Sequence, residues 1–176
     1  MNVLNMLKSE VENDKDIKIY KMIKNEIIFE NRVLINCFYC SKYNSQWTCP
    51  PKIPNIDYKK VINEYDNIII VGKTYDVNET NYSDIRNKST NEIHSMLLKF
   101  ENLLWDKNYP MAISFIGGSC KLCKNGCAID KCKNPSKARI PIEATGINVI
   151  KTLKNINIDI DFSDKTKLSR YGMLLW

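Results

Sequence analysis

Apolar positions recur along the chain with helical and strand periods, and these divide it into elements. Val3, Leu4, Met6, Leu7 and Val11 fall near one face of a short helix over residues 1–15, which ends in the acidic positions Glu12, Asp14 and Asp16. Over residues 17–36 the pattern shifts to strands. Ile19-Tyr20-Lys21-Met22-Ile23 alternates, Lys24-Asn25 reads as a turn, and Ile27-Ile28-Phe29 with Val33-Leu34-Ile35 continues a hairpin. Residues 54–66 read as a helix capped by Asn55 or Asp57, with Tyr58, Val61, Ile62 and Tyr65 at helical spacing. Asn67 to Val71 is a β-branched run bounded by Gly72, the pattern of a buried strand. Residues 76–88 are polar and Asn-rich and read as an exposed loop. Thr90 to Lys107 is a helix capped by Ser89 or Thr90, with Ile93, Leu97, Phe100, Leu103 and Leu104 as its stripe. Met111 to Ile116 is a second buried strand, running into Gly117-Gly118. Pro141 to Lys154 reads as a helix with Ile142, Ile147, Ile150 and Leu153 inward, weakened or broken at Gly146. Ile156 to Phe162 alternates as a strand, and Tyr171 to Trp176 returns to the sheet.

This alternation of strands and helices predicts an α/β (or α+β) fold: a single domain over 1–176, with a mixed β-sheet, flanking helices and a peripheral helix over 1–16. A chain of 176 residues, 44% of them apolar, suits one domain with a real core. No apolar run approaches the ~20 residues that cross a bilayer. The first ten residues lack a basic stretch followed by an apolar one, so no signal peptide is expected and the location is read as cytoplasmic. The net charge of +6 comes from lysines spread over most of the chain, which fits a solvated surface better than a nucleic-acid face.

The seven cysteines change the picture, because they fall in two tight sets. Cys37-x2-Cys40-x8-Cys49 is followed by Pro50-Pro51, and Cys120-x2-Cys123-x3-Cys127-x4-Cys132 by Pro135. In a reducing compartment clustered thiols serve metals or redox work rather than structural bridges, and an odd number cannot pair completely. All seven are therefore candidate metal ligands. Pro50-Pro51 should send the chain out of the first set in an extended direction. Tyr43 and Trp47 are placed to shield that centre. The second loop hangs off the end of a strand, where α/β sheets often carry function.

Four thiolates hold either zinc or an iron–sulfur cluster. Zinc knuckles usually pair two CxxC units, whereas Cys120, Cys123 and Cys127 lie on one continuous wrap, which suits a cubane [4Fe-4S] cluster. The match to the bacterial ferredoxin run is imperfect, since the second gap is three residues and the proline follows Cys132 at a distance. Cys37, Cys40 and Cys49 supply only three thiolates. The first site then has an open iron, or a fourth ligand from Asp57, Glu143 or His94, or shares ligands with the second set in one centre. Lys121, Lys124, Lys131, Lys133, Lys137 and Arg139 surround the second set; such cations would raise a cluster's potential and steer an acidic partner.

Taken with Gly117-Gly118-x-Cys120 and Glu143-Ala144-x-Gly146-Ile147-x-Val149, the cysteine motifs resemble a family called domain of unknown function 2284, predicted metal-binding proteins. The resemblance runs from about Cys37 to Trp176. It implies a cysteine-rich, metal-binding or iron–sulfur protein with no assigned reaction, and makes Cys37, Cys40, Cys49, Cys120, Cys123, Cys127 and Cys132 candidate ligands. Three functions stay open. The first is a [4Fe-4S] protein, with one or two clusters, that transfers electrons or serves a redox partner protein. The chain has no GxGxxG and no P-loop that would add a nucleotide to this scheme. The second is an enzyme with an open iron at Cys37, Cys40 and Cys49. The third is a zinc-stabilised interaction module.

Overall fold

The computed structural model describes residues 2–176, so Met1, included in the expected helix and domain, lies outside the described residues. Four strands form one sheet in the order β1-β2-β4-β3: β1 Ile17–Met22, β2 Ile68–Asp76, β3 Ile113–Phe115 and β4 Lys167–Leu175. All three ladders are antiparallel. Among the described residues, parallel pairing occurs only as an isolated bridge between Ile116 and Pro141. Five helices accompany the sheet: α1 Val3–Ser9, α2 Asn31–Phe38, α3 Tyr58–Asn63, α4 Tyr82–Trp105 and α5 Val149–Asn155. The arrangement is a mixed α/β fold.

The strand alternation sorts side chains to two cores. On one face Ile69, Val71 and Leu174 meet Ile93, Leu97, Phe100 and Leu104 of α4, with Met6 and Leu7 of α1. On the other, Ile68, Ile70, Phe115, Met173 and Leu175 pack with Ile62 of α3, Leu153 of α5, and Ile142 and Ile147. Burial on both faces explains why β2 reads as the unbroken run Ile68-Ile69-Ile70-Val71. Each such fully buried side chain contributes roughly 1.5–3 kcal/mol.

Several sequence expectations are corrected. Val33-Leu34-Ile35 lies in α2, not in a hairpin, and α2 buries none of its residues. The chain before it pairs elsewhere: Phe29 bridges Ile147, Glu30 N–H donates to the Gly146 carbonyl at 2.9 Å, and Asn148 N–H donates to that of Ile28 at 2.7 Å. Helix α4 starts at Tyr82, inside the stretch read as a loop. Its first turns carry no apolar stripe because they project past the core. The helix expected over 141–154 breaks at Gly146, which sits at φ +89° after a short 3-10 turn, and Ile150 faces solvent. No strand forms over 156–162; Asn157 at φ +60° turns the chain, and Phe162 is exposed.

Glu30 ties α2 to α5. Its carboxylate accepts from Arg32 Nε at 2.7 Å, Lys151 Nζ at 2.5 Å and Asn148 Nδ2 at 2.7 Å. These contacts, led by Arg32, hold its pKa down from 4.5 to about 2. The carboxylate is favoured in the folded chain, so the contribution is complete above pH 4.5 and is lost as pH falls from 4.5 through about 2. In urea midpoints taken across that window, Glu30→Gln is expected to flatten the acid limb. An unchanged limb would show that the contacts add nothing.

Candidate metal centre

Cys37 closes α2, and Cys40 follows on its exit. The Phe38 ring packs edge-on against Tyr39 and Tyr43. A run of turns carries the chain to Cys49, which is buried. Lys52 N–H closes onto the Cys49 carbonyl at 3.0 Å, so the chain turns here instead of leaving extended. The second set starts where β3 ends. Gly117 passes so close to β4 that a Cβ there would lie 2.0 Å from the Tyr171 carbonyl oxygen. Gly117→Ala is therefore expected to cost about 1–3 kcal/mol by overpacking, read as a lower denaturant midpoint. A midpoint within error of the parent would mean that the strand end yields freely.

Residues 120–140 form neither helix nor strand, and hydrogen bonds pin their exit. Arg139 pairs with the buried Glu101 of α4, which also accepts from Ser114 Oγ at 2.5 Å. His94 Nε2 bonds the Lys137 carbonyl at 2.8 Å. A carbonyl only accepts, so Nε2 carries the proton, and burial lowers the imidazole's pKa. His94 is thus a strut beneath the loop and not a companion of the first thiols. Asp57 is occupied too: it caps α3, accepting from Lys59 and Lys60 N–H. Of the three proposed fourth groups, only Glu143 shares a cleft with Cys37, Cys40 and Cys49.

That cleft holds about 510 Å3 and is also lined by Lys42, Arg86 and Lys121. Cys120, Cys123, Cys127 and Cys132 line a different, smaller pocket of about 20 Å3, together with Gln46, Trp47 and Thr48. One stretch of chain divides the two. Gly118, Ser119 and Lys121 line the cleft, while Cys120, Leu122 and Cys123 line the pocket. The first segment also caps the second, because Trp47 Nε1 donates to the Ala128 carbonyl at 2.8 Å. Trp47 thus shields the four-thiol pocket, and Tyr43 the three-thiol cleft.

All seven cysteines are free thiols. Burial raises Cys37, with the Glu143 charge adding to it, and also raises Cys120. Cys49 is pushed up to about 11 by burial, then by the charges of Cys37, Cys40 and, more weakly, Cys120. Reactive cysteines have lowered pKa values, so these three are poor nucleophiles when protonated and need a cation to become thiolates. Donors already face several sulfurs. Lys42 N–H lies 3.5 Å from Cys40 Sγ, Asn134 N–H 3.4 Å from Cys132 Sγ, and Asn134 Nδ2 3.3 Å from Cys123 Sγ. Hydrogen bonds of this kind support metal-bound thiolates and tune cluster potentials. Thr48 Oγ1 is buried on the pocket wall, close to the Cys49 thiol, whose pKa it lowers.

Among the described residues, no three His, Cys, Asp or Glu side chains converge on a single-ion position. The donor set nonetheless fits a sulfur-ligated group: soft ligands in two sets, with donors aimed at several of them. Lys124, Lys131, Lys133 and Lys137 stand exposed along that loop. Arg86, Arg170 and Asn134 were not singled out from the sequence; Arg86 lies in the stretch read as a loop, and no local pattern links the others to a cysteine.

A family model described as "Predicted metal-binding protein (DUF2284)" matches residues 21–176, starting upstream of the first cysteine set. No curated protein and no solved structure matches the chain. Among the described residues, no helix is long and apolar enough to cross a membrane.

Proposed function

The chain belongs to the DUF2284 family of predicted metal-binding proteins, and from that premise we propose that it is an iron–sulfur redox protein with two centres. Cys120, Cys123, Cys127 and Cys132 hold one cluster and pass electrons. Cys37, Cys40 and Cys49 hold the other and leave one position open to a ligand. The observation that carries this reading is the single wall, residues 118–123, with a closed four-thiol pocket on one side and an open three-thiol cleft on the other.

When bound, [4Fe-4S] groups supply one-electron chemistry, and an iron lacking a thiolate supplies a Lewis-acid position. The protein's own part is to hold and tune. Backbone and Asn134 amides stabilise thiolate charge, Trp47 limits water at the four-thiol pocket, and α4 anchors the loop exit through Arg139 and Lys137. The exposed lysines of the loop give an acidic redox partner a surface to approach.

The test is an anaerobic purification with iron, sulfide and zinc analysis and a visible spectrum. About eight irons and eight sulfides per chain, the count for two cubanes, is the expected result. A colourless protein with stoichiometric zinc and no sulfide would overturn it and leave the zinc-stabilised interaction module.

A further inference from the structure

The three-thiol cleft collects more positive charge than its one carboxyl, Glu143, can offset. Lys42, Arg86 and Lys121 line it, and the Arg170 guanidinium stands behind Gly118, with Nη1 2.9 Å from where a Cβ would sit. The chain has four arginines. Arg32 and Arg139 are ion-paired with Glu30 and Glu101; Arg86 and Arg170 have no ion-pair partner among the described residues. Lys42 and Lys121 likewise pair with no carboxylate, although six lysines elsewhere do. Among the described residues, the one side-chain hydrogen bond of Arg170 is Nε donating to Ser89 Oγ at 3.3 Å.

Gathering like charges is unfavourable unless an anion offsets it. The cleft's size falls within the range of about 300–1,000 Å3 usual for small-molecule sites. It also contains one acidic side chain. Glu143 is half-buried, and its carboxyl makes no side-chain hydrogen bond or ion pair among the described residues. A phosphate dianion offers that carboxyl no donor. A carboxylate that carries a hydroxyl or amine beside it does: its anion meets the cations, and its donor meets Glu143.

We propose that this cleft binds a small hydroxy- or amino-carboxylic acid, with the carboxylate on Arg86 and Lys121 and the neighbouring hydroxyl or amine on Glu143. The proposal rests on the two-centre reading only in that the same end of the ligand faces the open position at Cys37, Cys40 and Cys49. The bound acid is a ligand of the cation face whichever metal the thiols carry.

The test uses anaerobically purified full-length chain, with L-malate as the probe and succinate, which lacks the hydroxyl, as its comparison. Calorimetry should find one L-malate site per chain and weaker binding of succinate. Arg86→Ala should weaken L-malate about tenfold or more, the usual loss for hydrogen bonds to a charged group, and leave iron content and visible spectrum unchanged. Arg86 is exposed, so this change spares the fold. Lys121→Met gives a second reading of the same kind, and Glu143→Gln should weaken L-malate but not succinate. No L-malate binding to iron-loaded protein would overturn the proposal and leave the two-centre reading standing. Loss of iron in Arg86→Ala, with affinity retained per loaded chain, would also overturn it, by making the cations counter-charges of the cluster. A chain without iron that still binds L-malate in an Arg86-dependent way would sink the two-centre reading alone; one without either would sink both.

Discussion

Anaerobically purified Cys123→Ser protein is expected to retain about four of eight irons, one cubane of two, and Cys40→Ser to retain the other four. The two positions sit on opposite sides of the wall formed by residues 118–123. Cys40 is exposed and Cys123 half-buried on irregular chain, so serine, which differs by one atom, disturbs little else. Serine is a harder and more basic ligand than a thiolate, and iron–sulfur groups select soft ones. Cys123 also loses the sulfur that Asn134 Nδ2 approaches at 3.3 Å. Iron and sulfide analysis beside far-UV circular dichroism reads the outcome. Should each variant lose all its iron while folded, the seven thiols serve one shared centre; should neither lose any, those sulfurs are not ligands.

Glu101→Ala is expected to lower stability by about 3 kcal/mol, at the lower end for breaking a buried ion pair from one side. The Glu101 side chain is 9% exposed and that of Arg139 is 18%, so an unpaired Arg139 cannot hydrate fully where it lies. Ser114, buried in β3, loses its acceptor at the same time. Arg139→Met should cost a similar amount by stranding Glu101. The double variant Glu101→Ala with Arg139→Met should cost less than the two single changes added together, because no uncompensated charge remains. Urea midpoints for the four chains test this. Costs that simply add would mean that the two side chains do not depend on each other. Arg139 lies at the end of the four-cysteine loop, so the single variants should also release iron faster to a chelator than the parent.

Elements with strong periodicity were legible in the sequence. The stripe from Ile93 to Leu104 marks α4, and the runs Ile68–Val71 and Tyr171–Trp176 mark the two central strands. The two cysteine segments and their adjoining strand end were legible for a chemical reason: spaced thiols have few other uses. What failed was amphipathic sequence without a core beneath it. Val33-Leu34-Ile35 looks like a strand, yet forms an exposed helix because residues 28–30 pair with 146–148. The first turns of α4 carry Arg86 and no apolar stripe, so nothing local marks them as helical. Which charged residues share a cleft with Cys37, Cys40 and Cys49 is set by packing across the sheet. Arg170 comes to stand behind Gly118 of that cleft because strand alternation puts it on the α4 face, beside Ser89.

Strand β4 is the last strand in chain order and lies inside the sheet, hydrogen-bonded to β2 on one side and β3 on the other. A chain leaving the ribosome therefore presents all seven thiols before it has made the strand that joins the two halves of the sheet. Until residues 167–175 arrive, β3 has no ladder to join, and the loop it launches has no fixed starting point. Long-range pairing of this kind forms late, after its closure entropy has been met. Thiols exposed in that interval are open to oxidation and to stray metals. Metal delivered once residues 167–175 are in place would meet the thiols of that loop already positioned.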